Sequence, residues 1–344
     1  MNPYLADILA QPAALHRAIH EYNPESLVQI RTRLDAGAFD RIVITGMGAS
    51  LHAAYPAYLH LSNLPVPVLL LSAAELVHFL SGVIGPRTLL WINSQSGRSA
   101  EILRLLERVK DEPPANILSC TNDETTPSAR AADLCLPVHA GSEATVSTKT
   151  YLNTLAVNLL AASQLLGQEL ATLRHEMSLA ADKVEAYLDG WQARAGELDT
   201  LIGDFANLYI LGRGSSMSAV WNGALINKEA ARCSFEGMNA GDFRHGPLEL
   251  AGPGLCALIY AGPETTAALN RNLAIDIFEN GGRVVWLDAK ADPDLPTLVI
   301  PETPEFTRPL VEILPVQILT LVMAARKGIT AGSFRIVGKI TAAE

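Results

Sequence analysis

The chain has 344 residues, 49% of them hydrophobic and 18% charged, with a formal net charge of -10 at pH 7. This composition excludes a disordered chain, and the length suits two domains. The acidic balance excludes a broad basic surface for nucleic acid, although backbone N–H groups can still hold a small anion.

The opening MNPYLADILAQ has no cationic region followed by an apolar core. The most apolar stretches are interrupted by Glu75 and His78, or by Glu312, Pro315 and Gln317. Neither reaches the roughly 20 uninterrupted apolar residues of a membrane span. The expectation is a soluble cytoplasmic protein with no membrane partner. The cysteines, Cys120, Cys135, Cys233 and Cys256, show no CxxC spacing and read as reduced, buried thiols.

In chain order, residues 3–35 read as two helices punctuated by Pro12 and Pro24. Residues 41–45 (RIVIT) form a β-branched run ending at Gly46 and Gly48, followed by a helical pattern from Ser50 to about Leu61. The same alternation recurs: strands at 65–72, 88–94, 116–121 and 134–138, helices at 73–80, 99–111 and about 148–166. Residues 168–200 read as wholly helical. A second round opens at LYILGRGSS (208–216), with a helix to about 232, strands at 255–261, 283–289 and 297–301, and a helix over about 309–327. Short apolar runs alternating with helices predict an α/β fold of two doubly wound parallel-sheet domains with helices on both faces. The expected boundaries are a first domain with its N-terminal helices (1–167), a helical linker (168–200), a second domain (201–327) and an irregular tail (328–344). ITGMGAS (44–50) and ILGRGSS (210–216) form a weak internal repeat at equivalent strand-to-helix turns.

The chemistry-bearing segments sit at such turns. GMGAS (46–50) lacks the third glycine of a dinucleotide fingerprint, Leu51 standing there, so no nicotinamide cofactor is expected. SQSGRS (94–99) follows an apolar strand and opens a helix. Its hydroxyls, amide and free N–H groups at the positive end of a helix dipole suit a phosphate dianion, although a polar loop with a serine N-cap has the same sequence. In SEATVSTKT (142–150), Ser147 and Thr148 are able to donate to sugar hydroxyls or to a phosphate. Glu229 lies among apolar neighbours late in a helix, as a base or as half of an ion pair, and His245 lies in a loop-like stretch. Lys339, near the end, reads by itself as a solvated charge. His16 and His20 share a helix face, but no third ligand accompanies them, so no metal site is expected.

These segments, in this order, resemble the double sugar isomerase (SIS) family, in particular the isomerase part of glutamine–fructose-6-phosphate aminotransferase. The resemblance runs from ILAQPAAL to the final glutamate, through SQSGRS, SEATVSTKT, KEAARCSFEGMNAGDFRHGPLEL and FRIVGKITAAE. It implies that Ser94, Gln95, Ser96 and Ser99 hold a phosphate, and that Gly48, Ser50 and Ser147 line a sugar pocket. It implies Glu229 as the base moving a proton between C1 and C2, and His245 as the ring-opening histidine, contributed across a homodimer interface. Lys339 matches the lysine able to form a Schiff base with an open-chain ketose. Two positions depart from the family: Ala49 replaces a hydroxyl residue, and Ile226 replaces a lysine three positions before the base. SIS-like sequence begins near residue 1, so no glutamine-dependent activity is expected of this chain alone.

The resemblance thus implies a cofactor-free phosphosugar enzyme binding a small sugar phosphate. The expected reaction is of the glucosamine-6-phosphate deaminase type. A fructosamine-6-phosphate deglycase or a ketose/aldose phosphate isomerase is the alternative, and a non-catalytic sugar-phosphate sensor is a third reading.

Overall fold

A computed structural model describes residues 1–23, 25, 27–336, 338 and 339. Pro24, read above as a break, and residues 340–344 of the tail lie outside them. The chain divides into two compact units, each discontinuous in sequence. The first-sheet unit comprises Ala13–Glu143, Ser147–Ser178 and Phe334–Glu344; the second-sheet unit comprises Met1–Pro12, Ala144–Val146 and Leu179–Ser333.

Among the described residues, three helices, not two, precede the first strand: α1 (Pro3–Leu9), α2 (Gln11–Glu21) and α3 (Val28–Asp35). The Asn2 side chain caps α1 by accepting from the Tyr4 N–H at 2.9 Å. Pro12 stands in the first turn of α2, where a missing N–H costs nothing, so it begins a helix rather than breaking one.

The first sheet is built from β1 (Arg41–Gly46), β2 (Val68–Ser72), β3 (Thr88–Asn93), β4 (Asn116–Thr121) and β5 (Leu134–Pro137). Its helices are α4 (Ala49–Leu61), α5 (Ala73–His78), α6 (Ala100–Arg108), α7 (Pro127–Ala131) and α8 (Lys149–Leu165). All strands are parallel, in the order β2-β1-β3-β4-β5. Every residue of β3 is buried, which explains its unbroken apolar run. Val43, Leu90 and Ile92 pack against Leu76 of α5 and Ile102 and Leu105 of α6.

Residues 168–200 are helical as expected, forming α9 (Leu170–Asp189) and α10 (Trp191–Ile202). The second sheet contains β6 (Asn207–Gly212), β7 (Glu236–Asn239), β8 (Leu255–Tyr260), β9 (Arg283–Asp288) and β10 (Thr297–Val299). Its helices are α11 (Met217–Ala230), α12 (Ala240–Arg244), α13 (Glu264–Glu279) and α14 (Pro309–Arg326). The order is β10-β9-β8-β6-β7, all parallel. Read from its other edge, this is the winding of the first sheet, so the weak motif repeat reflects two copies of one topology.

Helices α7, α12 and α13 and strand β7 were not anticipated from the sequence. Strand β7 (EGMN) has no β-branched run, and it exists because Gly237 lets α11 lie close: a Cβ there would stand 2.5 Å from the Val220 carbonyl oxygen.

Among the described residues, α14 is the one helix long and apolar enough to cross a membrane, but 83% of it is buried in the protein, as in a core helix. It carries polar residues with partners inside the second-sheet unit. Gln317 and Gln11 exchange amide hydrogen bonds at 2.8 and 2.9 Å, and Thr320 donates to Tyr4 Oη at 3.0 Å. Glu312 is 1% exposed and accepts from Ser216 Oγ at 2.8 Å. Burial pushes its carboxyl up to about 7, against the Ser216 hydrogen bond, which pulls the other way. The unfolded carboxyl titrates near 4.5, so between 4.5 and about 7 the folded chain binds more protons than the unfolded one. Stability from this group therefore falls as pH rises through that window, by about 3 kcal/mol. Glu312→Gln should flatten that fall in urea melts at pH 5, 6, 7 and 8. A variant whose pH dependence matches wild type would remove Glu312 as its source.

Candidate functional site

In a doubly wound sheet, ligands bind beyond the carboxyl ends of the strands, where the winding reverses. In the first-sheet unit that point lies between β1 and β3, which pair from Arg41–Thr88 to Gly46–Asn93. The turn after β1 carries Gly48, with Ser50 in the first turn of α4; the turn after β3 carries Ser94, Gln95, Ser96 and Ser99. The topology thus brings six of the expected residues to one edge of one sheet.

The 94–99 turn is tied down through its backbone. Ser94 N–H donates to the Cys120 carbonyl (3.0 Å), Gln95 O accepts from Asn122 N–H (3.1 Å), and Gly97 N–H reaches Ser94 Oγ (3.1 Å). Gly97 has φ +58°, and a Cβ there would meet Thr126 Oγ1 at 2.2 Å and Ser128 Oγ at 2.6 Å. Only glycine fits this left-handed, walled-in position. Ser99 is the N-cap of α6, yet its side chain makes no capping bond. Its hydroxyl and the first-turn N–H groups of α6 therefore stay available to an anion.

Ser147 and Lys339 also belong to the first-sheet unit, joined through a residue the sequence reading passed over. The Glu143 side chain is fully buried. Its Oε1 accepts from the N–H groups of Thr148 (2.9 Å) and Thr150 (3.0 Å) and from Thr148 Oγ1 (3.2 Å). Its Oε2 accepts from Thr150 Oγ1 (2.6 Å) and from Lys339 Nζ (3.0 Å), which also donates to the Glu143 carbonyl oxygen at 2.6 Å. Thr150 Oγ1 lies 2.6 Å from Ser147 Oγ. Lys339 is thus not a freely solvated charge. Lys149, in the same segment, is buried and donates to the Ser142 carbonyl oxygen at 2.6 Å.

Glu229 and His245 lie in the second-sheet unit. Glu229 is the penultimate residue of α11, with its surface open to solvent. Surrounding protein still desolvates it and pushes its carboxyl up to about 7. Solvent access tempers the size of that shift and leaves its direction. His245 is exposed and follows α12, its N–H donating to the Asp242 carbonyl oxygen at 2.9 Å. Ile226, where the family has a lysine, is fully buried.

The reversal point of the second sheet, between β6 and β8, is occupied by the protein itself. Arg213 Nε donates to Asn270 Oδ1 (2.9 Å), Ser216 Oγ donates to Glu312, and the Asn270 amide donates to the carbonyl oxygens of Tyr260 (3.0 Å) and Ala261 (3.1 Å). The two turns that look alike in sequence differ in this respect: one keeps donors available, and the other spends them internally. Among the described residues, no group of three or more His, Cys, Asp or Glu side chains is arranged to hold a metal.

Comparison with known proteins agrees with this architecture. Residues 39–164 match the SIS domain family. The chain is 29% identical over 332 residues to glutamine–fructose-6-phosphate aminotransferase (isomerizing) of Pyrococcus horikoshii, covering 94% of this chain and 55% of that protein. It therefore spans about half the length of the curated relatives it matches. Among solved structures, the C-terminal domain of the Francisella tularensis glucosamine-fructose-6-phosphate aminotransferase superposes with a TM-score of 0.85 at 22% identity, covering 96% of this chain and 98% of that one. Glucosamine-6-phosphate deaminase from Thermotoga maritima superposes with a TM-score of 0.75 at 17% identity, covering 98% and 99%. The chain is a SIS-domain protein with the double-SIS fold of two five-stranded parallel sheets, and it resembles the isomerase part of the aminotransferase.

Proposed function

We propose that the chain is a phosphosugar isomerase-type enzyme converting glucosamine 6-phosphate and water to fructose 6-phosphate and ammonia. The observation that carries this reading is the meeting of the 46–50 and 94–99 turns at the reversal point of the first sheet. There, the hydroxyls of Ser94, Ser96 and Ser99 share one turn with the start of α6, a set of groups suited to a small anion. Resemblance to the aminotransferase isomerase part supports the assignment of the remaining residues.

In this reading Ser94, Gln95, Ser96 and Ser99 hold the phosphate, while Gly48, Ser50 and Ser147 meet the sugar. His245, reaching in from a second copy of the chain in a homodimer, opens the ring by proton transfer. Glu229 carries one proton between C2 and C1, for which a carboxyl raised towards neutrality is suited. Lys339 supplies an amine for the open-chain ketose carbonyl. Each step uses the chain's own side chains.

Purified protein is incubated with glucosamine 6-phosphate and separately with fructosamine 6-phosphates, and ammonia, free amine and hexose phosphate are measured. Ammonia and fructose 6-phosphate from the first substrate are the expected result. Turnover of the second alone would replace the deaminase reading with a deglycase. Binding of both without product would make the chain a sensor. Light scattering tests the dimer: an active monomer would remove the shared histidine.

A further inference from the structure

The hydrogen bonds around Glu143 have a direction, and that direction assigns a function. An ionised carboxylate only accepts, and a threonine hydroxyl has one proton to give. Thr150 Oγ1 gives its proton to Glu143 Oε2 at 2.6 Å. At the 2.6 Å contact between Thr150 Oγ1 and Ser147 Oγ, Ser147 must therefore be the donor. Its proton is committed inward, and only its lone pairs remain for a ligand. A serine in that state accepts from a sugar hydroxyl; it does not donate to a phosphate.

The same carboxylate holds the tail. Lys339 Nζ is bracketed by Glu143 Oε2 at 3.0 Å and the Glu143 carbonyl oxygen at 2.6 Å. The Glu143 side chain is fully buried and that of Lys339 only 24% exposed, so solvent screens this pair less than a surface one. Glu143 also receives the N–H groups of Thr148 and Thr150 and so builds the first turn of α8 beside Ser147.

We infer that Glu143 is a positioning residue: it orients Ser147 as an acceptor for a sugar hydroxyl and docks Lys339 in the same unit. One carboxylate thereby couples sugar recognition to tail placement. The ligand half of this inference rests on the phosphosugar reading above; the docking half does not.

The test has a matching arm for each half. Lys339 is dimethylated with formaldehyde and cyanoborohydride, without ligand, and its modification is timed by peptide mass spectrometry in wild type, Glu143→Gln, Glu143→Asp and Thr150→Val. Labelling should run at least threefold faster in the Gln variant, with partial protection in the Asp variant and wild-type protection in Thr150→Val. Equal rates in wild type and Glu143→Gln, both folded by circular dichroism, overturn the docking. Should the Gln protein not fold, the Asp variant decides: its shortened side chain must give faster labelling than wild type, and an equal rate overturns the docking. In the second arm, affinities for fructose 6-phosphate and its 3-, 4- and 5-deoxy analogues are compared. Wild type should lose about tenfold for one analogue, and Ser147→Ala should lose nothing further for that same analogue. In Thr150→Val, where the Ser147 proton is released, the penalty should shrink. An unchanged penalty in both variants overturns the acceptor role. If wild type binds no hexose 6-phosphate, the phosphosugar reading falls, while the labelling still decides what docks Lys339.

Discussion

Replacing Glu229 with Gln is expected to lower turnover of glucosamine 6-phosphate by about a thousandfold, with binding of the sugar phosphate within a fewfold of wild type. General base catalysis typically contributes 10²–10⁴-fold, and the amide keeps the shape while removing the proton acceptor. Glu229 lies late in α11 with an open surface, so the substitution should leave stability almost unchanged. Its carboxyl is pushed up to about 7 by desolvation, and the base acts in its deprotonated form. Wild-type kcat/KM should therefore climb with pH on a limb lying above 4.5 and no higher than about 7, and this limb should be missing from the residual activity of the variant. Coupled assays of ammonia and fructose 6-phosphate from pH 5.5 to 9 give both quantities. A variant within tenfold of wild type would strip Glu229 of its role.

The second large effect is structural. Gly97→Ala places a methyl group 2.2 Å from Thr126 Oγ1 and 2.6 Å from Ser128 Oγ, at a φ of +58°. The left-handed backbone costs about 1–2 kcal/mol for a side-chain-bearing residue, and overpacking adds about 1–3 kcal/mol. A total of about 3 kcal/mol lowers Tm by roughly 6–12 °C in a domain of this size. Because the strained residue sits inside the 94–99 turn, affinity for inorganic phosphate should also drop by tenfold or more. Gly85→Ala, at a glycine with open space round its missing side chain, is the control and should leave both quantities near wild type. Differential scanning fluorimetry and isothermal titration decide the matter; a Gly97→Ala protein with unchanged Tm would refute the account of the turn.

Much of the fold is legible in the sequence, because buried parallel strands appear as unbroken apolar runs. Strands β1, β3 and β8, flanked by glycine turns, stand out for that reason. Helix α13, although not anticipated, was legible in the helical spacing of its buried residues, Leu273, Ala274 and Ile277, with Asn270 masking the first position. Strand β7 was not, since Gly237 serves the approach of α11 and leaves no pattern of its own. In the site, the two glycine–serine turns are nearly indistinguishable as text. What separates them is Glu312, 96 residues beyond Ser216, which fills one turn from α14. Glu143 escaped notice for a similar reason: Lys339, which reveals its purpose, lies 196 residues away.

The division of the chain into discontinuous units bears on how it is made. Residues 1–12 are made long before their partners in the second-sheet unit, which lie 329, 316 and 306 residues further on: Asn2 with Ala331, Tyr4 with Thr320, and Gln11 with Gln317. Throughout synthesis, α1 must wait undocked until α14 emerges. Pairings this remote in sequence slow folding, and exposed apolar surface invites aggregation meanwhile. A cut at the midpoint of the chain would strand α1 on the wrong fragment. A circular permutant that joins α1 directly behind α14 would turn these remote contacts into local ones.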